Sequence, residues 1–352
     1  MATKDEGVAP TMADVARLAG VSASTVSYVL TGARPISQPT RERIQQAMRA
    51  LGYTPNVFAR NLKSKRSRIL AVLFPRLGRD LGLSSLEYIL GASDHAQDRG
   101  YHLLLWTTDA EALGDLAQLA RQGLVDGALV MEVRLQDPRI EVLRTAGLAF
   151  AMIGRNAEPA GLDFADTNFD QCGRLAVDHL AGDGHRHLGF VNLDASTVAA
   201  GRGNAVRLRD AIVRAAADRG VRMTALTCES SVAGGRAAFA QLLAADPELS
   251  AVIAFNEQAT PGIMGAAVRH GWRIPEDFSV LSVDMPTQAA LMTTPTMTTV
   301  GPTAAGMGRA AADMLIRRLE GEPVSNPQIL FDGELELRES SGPVRRAGQP
   351  LR

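Results

Sequence analysis

Cysteine is nearly absent from this chain: Cys172 and Cys228 are the two in 352 residues, far apart and without a CxxC partner. That excludes a disulfide framework and a cysteine zinc cluster, and both thiols read as ordinary buried side chains. No run of about 18 uncharged apolar residues occurs, so no bilayer span and no membrane partner are expected. The first residues include Asp5 and Glu6 and lack the apolar core of a secretory signal, which points to the cytoplasm. The marks of catalysis are missing as well. GRGNAV lacks the third glycine of a dinucleotide fingerprint, GGRAAF lacks the lysine and hydroxyl residue of a phosphate loop, and no GxSxG elbow is present. His185 and His187 stand in a loop before a strand with no third ligand, so capping or solvent exposure is their simplest reading. No metal, no cofactor and no enzymatic activity are expected.

What is present is unevenly spread. The chain exceeds one ordinary core, so two or three folding units are expected. The formal net charge of -1 conceals a division near residue 68: eleven basic side chains against four acidic ones before it, a balance of +7, and -8 in the remainder. A small basic module on a large acidic body suits phosphate binding by the first part, although a solvated charged face would look the same on charge alone.

Residues 11–54 supply the module. In TMADVARLAGVSASTVSYVLTG, Met12, Val15, Ala16 and Ala19, then Val26, Val29 and Leu30, recur at helical spacing. Gly20 offers a left-handed stop and Ser22 an N-cap, leaving a turn of about three residues between two short helices, a helix-turn-helix. A third helix begins at the Ser37 cap and offers Ile44, Ala47, Met48 and Leu51 to close a three-helix core, leaving Arg41, Arg43 and Arg49 outside. The second helix of such a motif enters the major groove N-terminus first, which makes Ala23, Ser24 and Tyr28 the expected base readers. Ser22, Thr25 and Ser27 are the expected phosphate partners, with helix capping an equal use of Ser22 and Thr25.

DVARLAGVSASTVSYVL resembles the DNA-binding signature of the lactose-repressor (LacI/GalR) family, and the likeness continues through TRERIQQAMRALGYTPNVFARNLKSKRS. The resemblance implies a hinge helix and linker over residues 55–68 that fold on operator DNA and wedge a leucine into the minor groove. By position the wedge is Leu62, with Ala59 beside it, Asn56 opening the helix and Lys63 near phosphates. NVFARNLKS is too short to be a stable helix alone, so its ordering can depend on DNA and on its twin in a dimer.

Beyond residue 68 apolar strands alternate with amphipathic helices in two cycles, ILAVLFP to GALVMEV and HLGFVNLD to FSVLSVD. This predicts a body of two parallel-sheet lobes over residues 69–340. The family likeness, which extends over it, makes the body periplasmic-binding-protein-like. Lobe one is expected at 69–166 and 301–321, lobe two at 167–300 and 322–340. Ligands of such sheets bind beyond the carboxyl ends of the strands, which singles out Pro75 onward, Thr107 to Asp109, Glu132, Arg155, Asp194, Asn256 and Asp284. The resemblance implies Asn256 and Asp284 as effector hydrogen bonders, with Arg155 a third candidate. It also marks two departures: Asn204, with Arg202 two residues earlier, stands where many members place a ligand-gripping arginine, and Ser230 stands near a position of a sugar-stacking aromatic. The implied protein is a dimeric regulator, a repressor of a metabolic operon, that binds a palindromic operator at the nucleoid and is released by a sugar-like or other small effector. A regulator needing its effector as co-repressor uses the same parts, and a free-standing solute-binding protein is the remaining alternative. The tail after Glu339 carries no heptad repeat, so no coiled-coil tetramer is expected.

Overall fold

The computed structural model describes residues 10–31, 34–53, 66–75, 82–108, 113–324 and 327–344. The chain forms two compact units, Met1–Ser67 and Arg68–Arg352. In the first, α1 (Met12–Ala19), α2 (Ala23–Thr31) and α3 (Gln38–Leu51) enclose a small core. Thr11 and Asp14 form a reciprocal capping box at the start of α1, and Gly20 ends the helix in the left-handed region. The Ser22 hydroxyl accepts from the Thr25 amide at 3.2 Å, so the capping use of Ser22 is realised. Val15, Ala16, Ala19, Val26, Ile44 and Ala47 are buried together, with Met12, Val29, Leu30, Met48 and Leu51 packed around them.

The larger unit holds two six-stranded sheets. The first has strand order β11-β5-β4-β3-β1-β2, from β1 (Ile69–Pro75), β2 (His102–Thr108), β3 (Gly127–Val130), β4 (Ala149–Ile153), β5 (Phe164–Thr167) and β11 (Gln328–Phe331). The second has order β12-β10-β9-β8-β6-β7, from β6 (His187–Asn192), β7 (Arg222–Thr227), β8 (Ala251–Ala254), β9 (Ser279–Val283), β10 (Thr298–Gly301) and β12 (Glu334–Glu336). Pairing is parallel except for β12 against β10. Strands buried on both faces, such as β3 and β8, carry continuous apolar runs, as sheets covered by helices require, and β9 adds two buried serines to its apolar residues.

The first sheet is covered by α4 (Leu83–Asp98), α5 (Leu113–Gln122), α6 (Pro138–Ala146) and the late helix α13 (Ala304–Glu320). The second is covered by α7 (Phe169–Gly182), α9 (Gly203–Asp218), α10 (Val232–Ala245) and α11 (Thr260–Arg269), with short α8 (Ala195–Ala199) and α12 (Thr287–Leu291) at its mouth. α4 and α13 cross closely because glycines meet backbone there: a Cβ on Gly91 would lie 2.1 Å from the Ala305 carbonyl oxygen, and one on Gly308 2.0 Å from that of Tyr88.

The chain crosses between lobes at Asn168, at residues 302–303 and at residues 332–333. The third crossing corrects the expected boundary at residue 322. QILF pairs in parallel with β5, Gln328 opposite Phe164, so residues 322–331 stay in lobe one until the Asp332–Gly333 turn. Likewise Gly301 is the last residue of β10, opposite Glu334, and belongs to lobe two.

The entry to β1 is clamped. The Arg68 amide donates to Asp126 at 2.9 Å, its guanidinium to Glu320 at 3.0 Å, and the same guanidinium lies 4.7 Å from the centre of the buried Tyr101 ring. Among the described residues no helix is long and apolar enough to cross a membrane, and no group of three or more His, Cys, Asp or Glu is placed to hold a metal ion. His185 is buried, not exposed: it bonds Ser250 at 2.9 Å and the Gly342 carbonyl at 3.1 Å. His187 pairs with Asp246 at 2.9 Å.

Candidate functional site

On the head, α2 presents Ser22, Ala23 and Ser24 as exposed and Thr25 and Tyr28 as half-buried, a contiguous start to the helix. The Arg34 guanidinium lies 5.1 Å from the Tyr28 ring centre, bringing positive charge to the same surface. Ser27 departs from its expected phosphate role. It is 8% exposed because it follows the core residue Val26 on the inner side of the helix. Asn56, Ala59, Leu62 and Lys63 lie outside the described residues.

Between the lobes is a cleft of about 540 Å³, large enough for a small molecule. Its lining comes from strand ends and the first turn of α4, and includes Arg202, Asn204, Asn256 and Asp284 of the expected residues. Arg155 lines a smaller recess of about 40 Å³ beneath it, which shares Tyr88, Glu132, Asn204 and Asp284 with the cleft.

Asp284 follows β9 with φ of 59°, and Glu132 follows β3 with φ of 54°, left-handed conformations that are uncommon outside glycine and cluster at functional sites. The Tyr88 hydroxyl lies 3.2 and 3.1 Å from the two Asp284 carboxylate oxygens. Burial pushes the Asp284 carboxyl up to about 7, the Tyr88 hydrogen bond opposing this and the charges of Glu257, Asp166 and Glu132 adding to it. Burial and the neighbouring Asp284 together hold the Tyr88 phenol well above its usual range.

Opposite Asp284, Glu257 caps α4 from the other lobe: its carboxylate accepts from the Leu83 amide at 2.6 Å and the Ser84 amide at 3.3 Å. The Ser84 hydroxyl is 2.8 Å from Glu257 and 2.9 Å from the Asp284 carbonyl, and its single proton serves one of them at a time. A carboxylate on the first amides of a helix gains from hydrogen bonding and from the helix dipole together. Arg202, at the start of α9, pairs with Glu132 across the lobes at 2.9 Å. Backbone bonds from Gly203 to Val133 at 2.9 Å and from Leu135 to Gly201 at 2.7 Å fix that seam.

In the recess, Arg155 stands 3.5 Å and Arg207 3.8 Å from Asp166. Burial outweighs the two guanidinium groups and raises the Asp166 carboxyl to about 6. Asp194 shows the reverse balance. Burial works against its charge, but bonds from Ser196 and Thr197 hold its carboxyl below the usual range.

Asn256 and Asn204 are committed locally. The Asn256 amide nitrogen is 3.5 and 3.4 Å from the Asn192 and Cys228 carbonyls, and its oxygen accepts from Ala259 at 3.3 Å. Asn204 accepts from the Ala205 amide at 2.7 Å. Asn256 thus shapes the wall, whereas Asn204 uses only its oxygen here and its amide nitrogen has no partner among the described residues. Tyr88, Ser84 and Glu257 were not singled out from sequence, though Glu257 directly follows Asn256 at a strand end and Tyr88 lies in the distinctive GRDLGLSSLEY stretch.

A head built to present one helix to a groove and a two-lobed body with a polar cleft define a ligand-responsive DNA-binding protein. Residues 11–56 match the family of bacterial regulatory proteins called the lacI family, and residues 177–341 match a periplasmic binding protein-like domain. The chain is 30% identical to the HTH-type transcriptional regulator CelR of Thermobifida fusca, over 94% of this chain and 98% of that protein. It is also 30% identical to the HTH-type transcriptional regulator GntR of Pseudomonas aeruginosa, over 94% and 96%. Among solved structures, a complex of the regulator CelR with cellobiose matches with a TM-score of 0.70 and 26% identity over 94% of this chain and all of that one. A lac repressor dimer bound to operator and the anti-inducer ONPF matches with a TM-score of 0.80 at 22% identity, over 95% and 100%, which shows the shared fold. The chain belongs to the lacI family of bacterial regulatory proteins. It is a DNA-binding transcriptional regulator with a small-molecule effector domain.

Proposed function

We propose that this regulator is a cytoplasmic homodimeric repressor of a metabolic operon, working at the nucleoid, that reads a palindromic operator and is released when a sugar-like effector enters the cleft between its lobes. The observation that carries the reading is the set of cross-lobe polar contacts, Tyr88 to Asp284, Glu257 to the start of α4, and Arg202 to Glu132. A ligand that binds among them competes with them or adds to them, and so changes the relative disposition of the lobes.

Base reading by Ala23, Ser24 and Tyr28, phosphate contact by Ser22 and Thr25, and minor-groove insertion by Leu62, helped by Asn56, Ala59 and Lys63, make up the DNA side. On the effector side Asp284 and Arg202 bind, while Asn204, Asn256 and Arg155 shape the walls and floor. A second copy of the chain suits lobe one, where α4 exposes Leu83, Leu86 and Leu90 at helical spacing and the edge strand β2 exposes Leu104 and Leu105.

Selecting bound DNA from a random pool and then scoring a metabolite panel for release or enhancement tests this. A palindromic site released by a sugar is expected. Enhancement by the metabolite would instead make the effector a co-repressor, and failure to enrich any site would refute the reading.

A further inference from the structure

We propose that the effector carries a positive charge, a protonated amine on a small hydroxylated skeleton of the amino-sugar kind. This rests on the reading of the interlobe cleft as the effector site. The lining holds five carboxylates, Glu132, Asp194, Glu229, Glu257 and Asp284, against one guanidinium among the described residues, Arg202.

The guanidinium of the lining and the helix-opening amides, its strongest anion receivers, are already occupied by the chain's own acids. Arg202 is paired with Glu132 at 2.9 Å, and the amides that open α4 are bonded by Glu257 at 2.6 and 3.3 Å. A carboxylate or phosphate on the ligand would have to displace one of these before finding a partner.

The unspent capacity is negative. Glu229 is exposed at the cleft. The two carboxylate oxygens of Asp284 share one donor, the Tyr88 hydroxyl, at 3.2 and 3.1 Å. Asp166 in the recess beneath is no part of that capacity, since Arg155 and Arg207 already pair with it at 3.5 and 3.8 Å.

A neutral sugar entering here strips water from these carboxylates and returns only neutral hydroxyl donors. A protonated amine returns a hydrogen bond in which both partners are charged, adding direct charge–charge attraction, and cancels part of the mutual repulsion. Phe74, Tyr88 and Phe255 also line the cleft, and aromatic rings near a bound cation favour it. The raised carboxyl of Asp284 fits the same picture, since an incoming cation favours its ionised form and binding then releases a proton.

The test is titration calorimetry on the full-length protein with matched sugars: glucosamine, galactosamine, mannosamine and the β-1,4 glucosamine dimer against glucose, galactose, mannose and cellobiose, with N-acetylglucosamine and glucuronate as uncharged and anionic controls. At least one amine is expected to bind tenfold or more tighter than its neutral counterpart, with proton release seen as a dependence of the heat on buffer, and N-acetylation is expected to abolish the preference. Asp284→Asn and Glu229→Gln should each reduce that preference at least threefold, and a cooperative melting transition at or above the parent's separates this from misfolding. Tighter binding of a neutral sugar or of glucuronate would overturn the charge assignment while leaving the effector site intact. Failure of every amine at millimolar concentration would also overturn it, whereas the effector site itself stands or falls on the metabolite panel.

Discussion

Replacing Asp284 by asparagine isolates the cost of a carboxylate that the fold holds in its protonated form. The position has φ of 59°, which asparagine tolerates, and the amide oxygen can still accept from Tyr88, so the change removes charge while sparing shape. In the unfolded chain the carboxyl titrates near 3.8 and in the native protein near 7. Because the native value is the higher, the folded state binds the proton more tightly. Stability is then fully present below about pH 4 and lost as pH rises through 7.

The gap of about 3 units corresponds to a ceiling of about 4 kcal/mol, and partial exposure to the solvent-filled cleft lowers the expected cost to about 1–2 kcal/mol at pH 8. Thermal melts of parent and variant at pH 5 and pH 8, following the transition of the larger unit, read this directly. At pH 5 the unfolded carboxyl is already ionised and the native one still protonated, so about a third of the effect is present there, and the variant should melt about 1 °C above the parent at pH 5 and about 2–5 °C above it at pH 8. Asp166, also raised, is present in both proteins, and because its charge acts on Asp284 the difference reads the coupled pair. If the two proteins lose stability in parallel from pH 5 to pH 8, Asp284 is ionised throughout and the account of the cleft as a field of repelling acids is wrong.

Glu257→Ala removes the cross-lobe cap of α4. It should cost about 1–3 kcal/mol, part of it as faster amide exchange in the first turn of α4, and exchange rates equal to the parent's would show that the cap does not join the lobes. Arg139 is buried against Asp137 at 2.6 Å and donates to the Met131 and Glu132 carbonyls at 2.9 and 3.3 Å, so it holds the strained turn at Glu132. Arg139→Ala leaves Asp137 unpaired and should destabilise by about 3–5 kcal/mol in urea titration, and a loss below about 1 kcal/mol would contradict the assignment. Tyr28→Ala should weaken operator binding by about 1–3 kcal/mol through a lost base contact, measured by mobility shift on the selected site, and Leu62→Ala should weaken it while reducing the DNA bend. Parent-like affinity would remove either residue from the interface.

Local patterns were the legible part. The core of the head could be read residue by residue because three short helices declare themselves through a 3.6-residue period and through Gly20, Ser22 and Ser37 at their ends. The strand ends were legible too, since apolar runs stop where the sheet meets the cleft, and Glu132, Asp194, Asn256 and Asp284 all follow such runs. The fate of each side chain there was less so. Asn256 has the right place but spends its amide on its neighbours. Ser27 looked polar and available, yet the phase of α2 turns it inward. Tyr88 and Glu257 meet partners 196 and 173 or 174 positions away, pairings that leave no local mark. QILF and ELE are both short extended segments separated by a brief turn, and nothing in either specifies which sheet it completes.

The clamp at Arg68 has a mechanical meaning. Its anchors, Asp126, Tyr101, Glu320 and the Arg99 carbonyl, all belong to lobe one, so at residue 68 the chain is bolted to that lobe. Within the body, a movement of lobe two reaches Arg68 through lobe one, by way of the crossings and the cross-lobe contacts. In machine terms the Arg68 bolt is set in the first lobe, and its stiffness decides how much of a relative stroke of the lobes arrives at residue 68.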